Sequence, residues 1–304
     1  MKRLCLFAIV LLTLFSARLG ADEPGGEKSA SGKRPRSRPV SASRRIQRLT
    51  YDFKAAGKKM EYGLFVPSSY ESPAMAKTRF PLVVALHGLG SNPQQILRYP
   101  GLVKLAEKHG YIVVAPMGYT TTGWYGVQGQ RSRLWRPTNK GELSEQDVMN
   151  VLKLTEKAYR VDPKRICLMG HSMGGGGTLH LGMKYPGRWA ALAPIAPAIY
   201  RSPRGLTAMR NTPVIVVQGA KDRLVRASST RRWIRKMREL EMTHKYVEYK
   251  DGDHIRPAFQ GLPAIFEFFN THTRRDTTPG KTTRAPAREA RVPAPPGAGR
   301  SRRS

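Results

Sequence analysis

Cysteine is nearly absent from this chain, which has only Cys5 and Cys167 in 304 residues. Cys5 lies among the first 21 residues, which we expect to be removed as a signal peptide, so the mature chain would keep one cysteine and form no internal disulfide. Stability must then come from a hydrophobic core, and 40% hydrophobic residues are enough for one large core. Cys167 lies in the apolar run 166–169, which predicts a small residue of a buried strand rather than a catalytic thiol.

Long hydrophobic runs are also absent. The apolar stretch 4–15 is shorter than the roughly 20 residues that a membrane-spanning helix needs. It follows Lys2 and Arg3 and precedes the small residues Gly20 and Ala21, which is the layout of a signal peptide. We therefore expect residues 1–21 to be cleaved near Ala21 and the mature protein to be secreted, periplasmic or at the cell surface.

Acidic residues are scarce, with 21 Asp and Glu against 53 Lys and Arg, a formal net charge of +32. Segments 22–48 and 273–304 are basic, contain Pro, Ser, Gly and Ala, and lack apolar periodicity, which predicts a disordered linker and a disordered tail. An exported chain without a nucleic-acid-binding motif makes nucleic acid an improbable partner. An anionic polymer or a membrane surface fits the basic tails, and a solubility signature without a partner is the alternative.

Between residues 49 and 272 the sequence alternates short apolar runs with helical patterns. This alternation predicts a single α/β domain with a mostly parallel central sheet and helices on both faces. Strands are predicted at 49–54, 61–66, 81–86, 111–115, 165–169, 190–195, 213–217 and 245–249. Helices are predicted at 93–109, 145–160, 172–185, 228–240 and 262–269.

The sequence G-H-S-M-G at 170–174 has the form G-x-S-x-G and lies between a predicted strand and a predicted helix. In that context the pattern indicates a nucleophilic serine on a sharp, strained turn. Ser172 is therefore the candidate nucleophile. A flexible glycine loop or a nucleotide-binding turn is the alternative, but the G-x-G-x-x-G spacing of a nucleotide-binding turn is missing here.

A serine hydroxyl needs a base, and the base needs a carboxylate to orient it. His254 follows the last predicted strand, so it should lie at the same sheet edge as Ser172, and it is the candidate base. Asp222 follows the strand 213–217 and is the candidate acid. Asp251 and Asp253 are rivals for that role. A surface-loop position for His254 and a helix-capping role for Asp222 are the structural alternatives.

The negatively charged oxygen that forms during acyl transfer needs two preorganised donors. We expect the backbone N–H groups of Met173 and Leu89 to supply them, since Leu89 lies in the H-G-L-G turn after the strand 81–86. His87, in that turn, braces the loop or contacts substrate. Trp124 and Tyr125 stack on a sugar or aromatic acyl group, or else pack the loop on the sheet. The chain has no histidine or cysteine cluster with metal-ligand spacing, so neither a metal nor a cofactor is expected.

In order along the chain stand H-G-L-G, G-H-S-M-G-G, G-A-K-D-R-L-V and D-G-D-H. With these motifs the folded part resembles α/β-hydrolase esterases related to polyhydroxybutyrate depolymerases and to feruloyl and acetylxylan esterases. It is also similar to the core of prolyl oligopeptidase-like hydrolases. The resemblance implies a serine esterase. The sequence departs from the pattern of these esterases at Met173, where Asn or Gln is frequent, and it lacks their paired cysteines. A peptidase, an acyltransferase or a non-catalytic surface-binding protein remain alternatives.

Overall fold

The computed structural model of the protein describes residues 41–127 and 139–274. The predicted signal peptide 1–21, most of the linker 22–48 and nearly all of the tail 273–304 lie outside the described residues. Within the described ranges, no helix is both long and apolar enough to cross a membrane.

Eight strands of the described residues form one sheet in the order β1-β2-β4-β3-β5-β6-β7-β8. The first two pairings, β1 with β2 and β2 with β4, are antiparallel, and all the others are parallel. The predicted mostly parallel sheet is thereby confirmed. The strands are β1 (Gln47–Phe53), β2 (Lys58–Phe65), β3 (Phe80–Leu86), β4 (Ile112–Pro116), β5 (Val161–His171), β6 (Ala191–Ile195), β7 (Val214–Gly219) and β8 (His244–Tyr249).

Helices cover both faces of this sheet, because its central strands are apolar on both sides. Along β3, Leu82 and Val84 contribute to one buried cluster, while Val83 and Ala85 contribute to another on the opposite face. The first cluster packs against α3, α4 and α5, and the second against α1, α2, α6 and α7. The helices are α1 (Pro93–Leu97), α2 (Leu102–His109), α3 (Lys140–Ala158), α4 (Met173–Lys184), α5 (Ala227–Glu239), α6 (Arg256–Gln260) and α7 (Leu262–Asn270).

The structure differs from the predicted elements in several respects. The predicted helix 93–109 is divided into α1 and α2, because Pro100 cannot continue a helix and Gly101 has a φ of 96°. Regular structure is present ahead of the predicted boundary at residue 49, with a 3₁₀ turn at Ala42–Arg45 and β1 from Gln47. The short helix α6 was not predicted, since five residues carry too little periodicity to recognise.

A buried carboxylate joins α3 to α4. Glu145 is 7% exposed and accepts hydrogen bonds from His180 Nε2 at 2.8 Å and from the Tyr185 hydroxyl at 2.6 Å. Lys184 Nζ lies 2.5 Å from Glu145 Oε1. Burial alone would raise the pKa of Glu145, but these three donors outweigh it and lower the pKa to about 2. The ionised carboxylate is therefore a native-state crosslink between the two helices.

We predict that Glu145→Gln lowers the free energy of unfolding by about 2 kcal/mol at pH 7. A depressed pKa gives stability that is present above the ordinary pKa near 4.5 and is lost as the pH falls through about 2. The difference between wild type and variant should therefore shrink as urea unfolding is repeated at pH 5, 4 and 3. Glu239→Gln, at an exposed pair with Lys236, is the control and should change stability by less than about 0.5 kcal/mol. A Glu145→Gln effect that does not vary with pH would contradict the assignment.

Candidate active site

The turn between β5 and α4 holds Ser172 in a strained backbone conformation. Its φ of 58° and ψ of −114° lie in the positive-φ region that residues with a side chain avoid. Hydrogen bonds fix this conformation, since the Ser172 N–H donates to Ile195 O at 2.9 Å and its carbonyl accepts from Ala198 N–H at 2.9 Å. The side chain of Ser172 is half-buried. The turn thus presents one hydroxyl at the carboxyl edge of the parallel sheet.

Glycine is required on both sides of this turn. A Cβ atom on Gly170 would lie 2.3 Å from the Gly174 carbonyl oxygen, and one on Gly174 would lie 2.1 Å from the Leu86 carbonyl oxygen. Both contacts are with backbone, which cannot rotate away as a side chain does. The glycines of G-x-S-x-G therefore allow β3, β5 and α4 to meet around the serine.

His254 and Asp222 meet at the same edge, in the loops after β8 and β7. His254 Nδ1 lies 2.7 Å from Asp222 Oδ2. The Asp222 side chain is fully buried. Asp222 Oδ1 accepts from the N–H groups of Leu224 at 2.9 Å and Val225 at 2.8 Å, while Gln218 Nε2 donates to Oδ2 at 3.2 Å. These donors fix the carboxylate, which in turn fixes the imidazole ring.

The two rival carboxylates have other partners. Asp251 pairs with Lys221 at 2.6 Å. Asp253 Oδ1 accepts from the N–H groups of Ile255 at 2.9 Å and Arg256 at 2.8 Å, as a capping residue does. Asp222 is therefore the acid whose position matches the one predicted for orienting His254.

The described residues contain no hydrogen bond between the Ser172 hydroxyl and His254. A neighbouring residue links them instead, because His171 Nε2 lies 2.9 Å from the His254 carbonyl oxygen and the two rings are 4.9 Å apart. The second ring nitrogen of His254, Nε2, has no partner among the described residues. In hydrolases without substrate, a base is often not yet hydrogen-bonded to its nucleophile.

His171 and Tyr99 form a support under His254 that the sequence did not reveal. A carbonyl oxygen only accepts, so His171 Nε2–H donates to His254 O, and His171 Nδ1 then accepts from the Tyr99 hydroxyl at 2.9 Å. Burial lowers the pKa of His171 to about 4, which keeps this ring neutral. Tyr99 lies in the break between α1 and α2, 72 residues before His171, so no local pattern connects the two.

Two backbone N–H groups lie free beside the serine. Met173 is the first residue of α4, so its N–H has no acceptor within the helix, and the positive end of the helix dipole lies here. The loop after β3 approaches from the other side, since a Cβ atom on Gly88 would lie 3.6 Å from Ser172 Cβ. Neither the Leu89 nor the Met173 N–H donates a hydrogen bond within the described part of the chain. Their role as oxyanion donors stays a prediction.

The structure corrects the expectation that His87 and Tyr125 contact a substrate. Both are fully buried. The ring nitrogens of His87 lie 2.8 Å from the carbonyl oxygens of Gly88 and Met117, so this residue braces the loops after β3 and β4. Tyr125 packs edge-on against His87, with ring centroids 5.7 Å apart. Trp124, which is half-buried, is the one member of the predicted set with surface left for a ligand.

Helix α3 anchors the loop 117–127 beside the site. Asp147 accepts from the Gly118 N–H at 2.6 Å and the Tyr119 N–H at 3.2 Å, and Ser144 Oγ accepts from the Tyr125 N–H at 2.9 Å. These bonds hold Tyr119, Trp124 and Tyr125 at φ values of 65°, 60° and 47°. Strain in this loop is thus maintained by buried polar groups of α3, which no sequence pattern pointed to. Among the described residues, no cluster of three or more His, Cys, Asp or Glu could hold a metal ion.

Comparison with known families identifies the chain. The model of the family described as "Putative esterase" matches residues 54–266, a range that includes Ser172, Asp222 and His254. The chain belongs to this esterase family. The predicted resemblance to α/β-hydrolase esterases is confirmed.

Relatives of this esterase-family chain act on several kinds of ester. A bifunctional acetylxylan esterase/xylanase of Neocallimastix patriciarum is 28% identical over 152 residues, which are 50% of this chain and 20% of the relative. An S-formylglutathione hydrolase of Rattus norvegicus is 28% identical over 153 residues, which are 46% of this chain and 52% of the relative. The chain therefore spans about half or less of the length of these relatives.

Solved structures of esterases share the fold. A thermostable esterase matches with a TM-score of 0.60 at 22% identity and covers 77% of this chain and 64% of that chain. A ferulic acid esterase from Anaeromyces mucronatus matches with a TM-score of 0.57 at 18% identity, and the match covers 75% of this chain and 90% of that chain. These likenesses establish the α/β-hydrolase fold for the esterase-family chain.

We predict that Gly174→Ala lowers the free energy of unfolding by about 1–3 kcal/mol, because the new methyl group would displace the carbonyl groups of Leu86 and His87. Urea unfolding measures the change. Gly187→Ala is the matched control, because nothing lies within 4 Å of a Cβ atom there, and it should shift stability by less than about 0.5 kcal/mol. Equal effects of the two substitutions would refute the close approach at Gly174.

Proposed function

We propose that the protein is a secreted serine carboxylic-ester hydrolase that cleaves acyl or aryl esters through Ser172, His254 and Asp222. One observation carries the proposal: the 2.7 Å contact of His254 Nδ1 with the buried Asp222, at the same sheet edge as the strained turn of Ser172. Membership of the esterase family supports the reaction class. The signal-peptide layout of residues 1–21 supports export.

Acylation begins when Ser172 Oγ attacks the ester carbonyl carbon and His254 Nε2 takes the hydroxyl proton. Asp222 holds the His254 ring with Nδ1–H directed at its carboxylate, so Nε2 is the free, basic nitrogen. The same carboxylate stabilises the imidazolium that forms. The N–H groups of Met173 and Leu89 donate hydrogen bonds to the carbonyl oxygen, which now carries the negative charge. The carbon–oxygen bond to the alcohol then breaks, and His254 gives its proton to the leaving oxygen. An acyl group remains on Ser172.

Deacylation repeats these steps with water. His254 Nε2 accepts a proton from a water molecule as the water oxygen attacks the acyl carbon. The same two N–H groups stabilise the second oxyanion. Ser172 Oγ then leaves, regains the proton from His254, and a carboxylic acid is released. An alcohol that replaces water at this step makes the same site an acyltransferase.

The relatives support a class of substrate. An acetylxylan esterase and a ferulic acid esterase support an acyl or aryl ester attached to carbohydrate as one form of substrate. The basic segments 22–48 and 273–304 support retention of the exported protein on an anionic polymer or membrane surface.

A panel of p-nitrophenyl esters and peptide anilides, measured on the purified protein, tests the reaction class. We expect turnover of short-chain esters and none of anilides. Asp222→Asn should lower kcat by about 10⁴, because an amide favours the wrong histidine tautomer, and Ser172→Ala sets the background rate.

Asp251→Asn and Asp253→Asn are the matched controls, because each removes a carboxylate near His254 that does not contact the ring. We expect each to lower kcat less than tenfold. The assignment is wrong if either control is more damaging than Asp222→Asn, and the function is wrong if Ser172→Ala keeps half of the ester turnover.

A further inference from the structure

Large hydrophobic side chains are exposed at five positions of the described chain, and four of them lie at one place. The exposed fractions are 56% for Leu89, 64% for Tyr200, 72% for Leu224, 48% for Ile255 and 36% for Leu154. Leu154 is on α3. The other four follow β3, β6, β7 and β8, whose carboxyl ends meet at the edge of the sheet that carries Ser172. We refer to these four residues as the collar.

Backbone contacts connect the collar to the candidate site. The Leu224 N–H donates to Asp222, and Ile255 directly follows His254. Leu89 is itself a candidate oxyanion donor. Tyr200 ends the segment in which the Ala198 N–H donates to the Ser172 carbonyl oxygen. The exposed apolar residues therefore lie at the edge of the sheet that carries the candidate site rather than on a remote face.

An arginine stands next to three of the four collar residues. Arg201 follows Tyr200, Arg223 precedes Leu224, and Arg256 follows Ile255, and all three are exposed. The Arg201 guanidinium donates to His180 Nδ1 at 2.7 Å and makes no ion pair with a carboxylate of its own in the described part of the chain. No ion pair within the described ranges involves Arg223 or Arg256. The collar is thus apolar and positively charged.

The carboxylates at this edge offset only part of that charge. Asp222 is buried against His254, and Asp251 pairs with Lys221. Asp253 is exposed and interacts with the charge of Arg256, so it offsets part of that charge and leaves Arg201 and Arg223. An approaching surface therefore meets aliphatic side chains and guanidinium groups.

This combination fits a lipid surface better than a sugar chain. Three of the four collar residues are leucine or isoleucine, which have no planar face to stack on a pyranose ring and no donor for its hydroxyl groups. Tyr200 is of the amphipathic type that is enriched at membrane–water interfaces. These side chains gain free energy by leaving water for an acyl layer, while arginine is attracted to anionic headgroups at the boundary. The four collar residues are separated along the chain by more than 20 residues each, so their convergence arises from the fold.

We propose that the collar docks the protein on a lipid surface with anionic headgroups, so that Ser172 receives esters presented by that surface. The claim that Ser172 receives esters from the surface rests on the proposed function, whereas docking on the lipid does not need catalysis. Docking is therefore measured in the Ser172→Ala background, where a negative result does not bear on the hydrolase, just as a failed ester assay does not bear on docking.

The experiment is cosedimentation with phosphatidylglycerol–phosphatidylcholine vesicles and with phosphatidylcholine vesicles alone. We expect binding to the anionic vesicles, and expect the double variant Leu224→Gln with Ile255→Gln to weaken it by about tenfold or more, since two aliphatic side chains lose their burial. Leu154→Gln, which exposes the same chemistry on α3, should bind like the parent. These substitutions keep the net charge, so the basic segments 22–48 and 273–304 contribute equally to each.

Salt separates the collar from general charge attraction. The Debye length falls from about 10 Å at 0.1 M to about 3 Å at 1 M, so the electrostatic part of binding should be lost at 1 M while a collar-dependent remainder persists. Arg223→Gln with Arg256→Gln should weaken binding at 0.1 M more than Arg235→Gln with Arg238→Gln on α5. Binding that is unaffected by the collar substitutions, or reduced equally by Leu154→Gln, would overturn the proposal. Retention on an anionic polysaccharide but not on vesicles would overturn it as well.

Discussion

Gly174 lies so close to the end of β3 that a Cβ atom on it would be 2.1 Å from the carbonyl oxygen of Leu86. This backbone contact determines how the first turn of α4 approaches the sheet. It brings the start of α4, directly after the strained turn at Ser172, against the end of β3 and the loop that follows it. A side chain at Gly174 would push α4 away from these backbone groups and disturb that turn.

Buried polar side chains then fix the loops that converge on this turn. His87 joins the loops after β3 and β4, Asp147 holds the loop 117–127, and Asp222 anchors the segment after β7. Each of these groups is hydrogen-bonded, which offsets the cost of removing it from water. His171 fixes the loop of His254 in the same way, because its neutral ring donates a hydrogen bond to the carbonyl oxygen of His254. The loops are therefore positioned by internal contacts and leave the collar exposed.

The central strands were predictable because β3 and β4 are apolar throughout, and short apolar runs bounded by turn residues are typical of buried strands. The sharp turn at Ser172 was predictable because the G-x-S-x-G pattern lies between a strand and a helix. The contact of His254 with Asp222 was predictable because both follow parallel strands whose carboxyl ends meet at one edge. The break at Pro100 and Gly101 was overlooked, since the apolar periodicity continues across it. Tyr125 was assigned to a substrate surface because aromatic residues among glycines look alike in sequence whether they are buried or exposed. The contacts of Tyr99 and Asp147 join residues 72 and 29 positions apart, which no local pattern encodes.

The central claim is that Ser172 is an activated nucleophile, and covalent labelling tests it without any choice of substrate. The purified protein is treated with a fluorophosphonate probe, and the modified residue is identified by peptide mass spectrometry. We predict one phosphonylated residue, Ser172, and a rate of labelling that falls when Asp222 is replaced by asparagine. Labelling at a different serine, or labelling of Ser172 at an unchanged rate in Asp222→Asn, would contradict this claim.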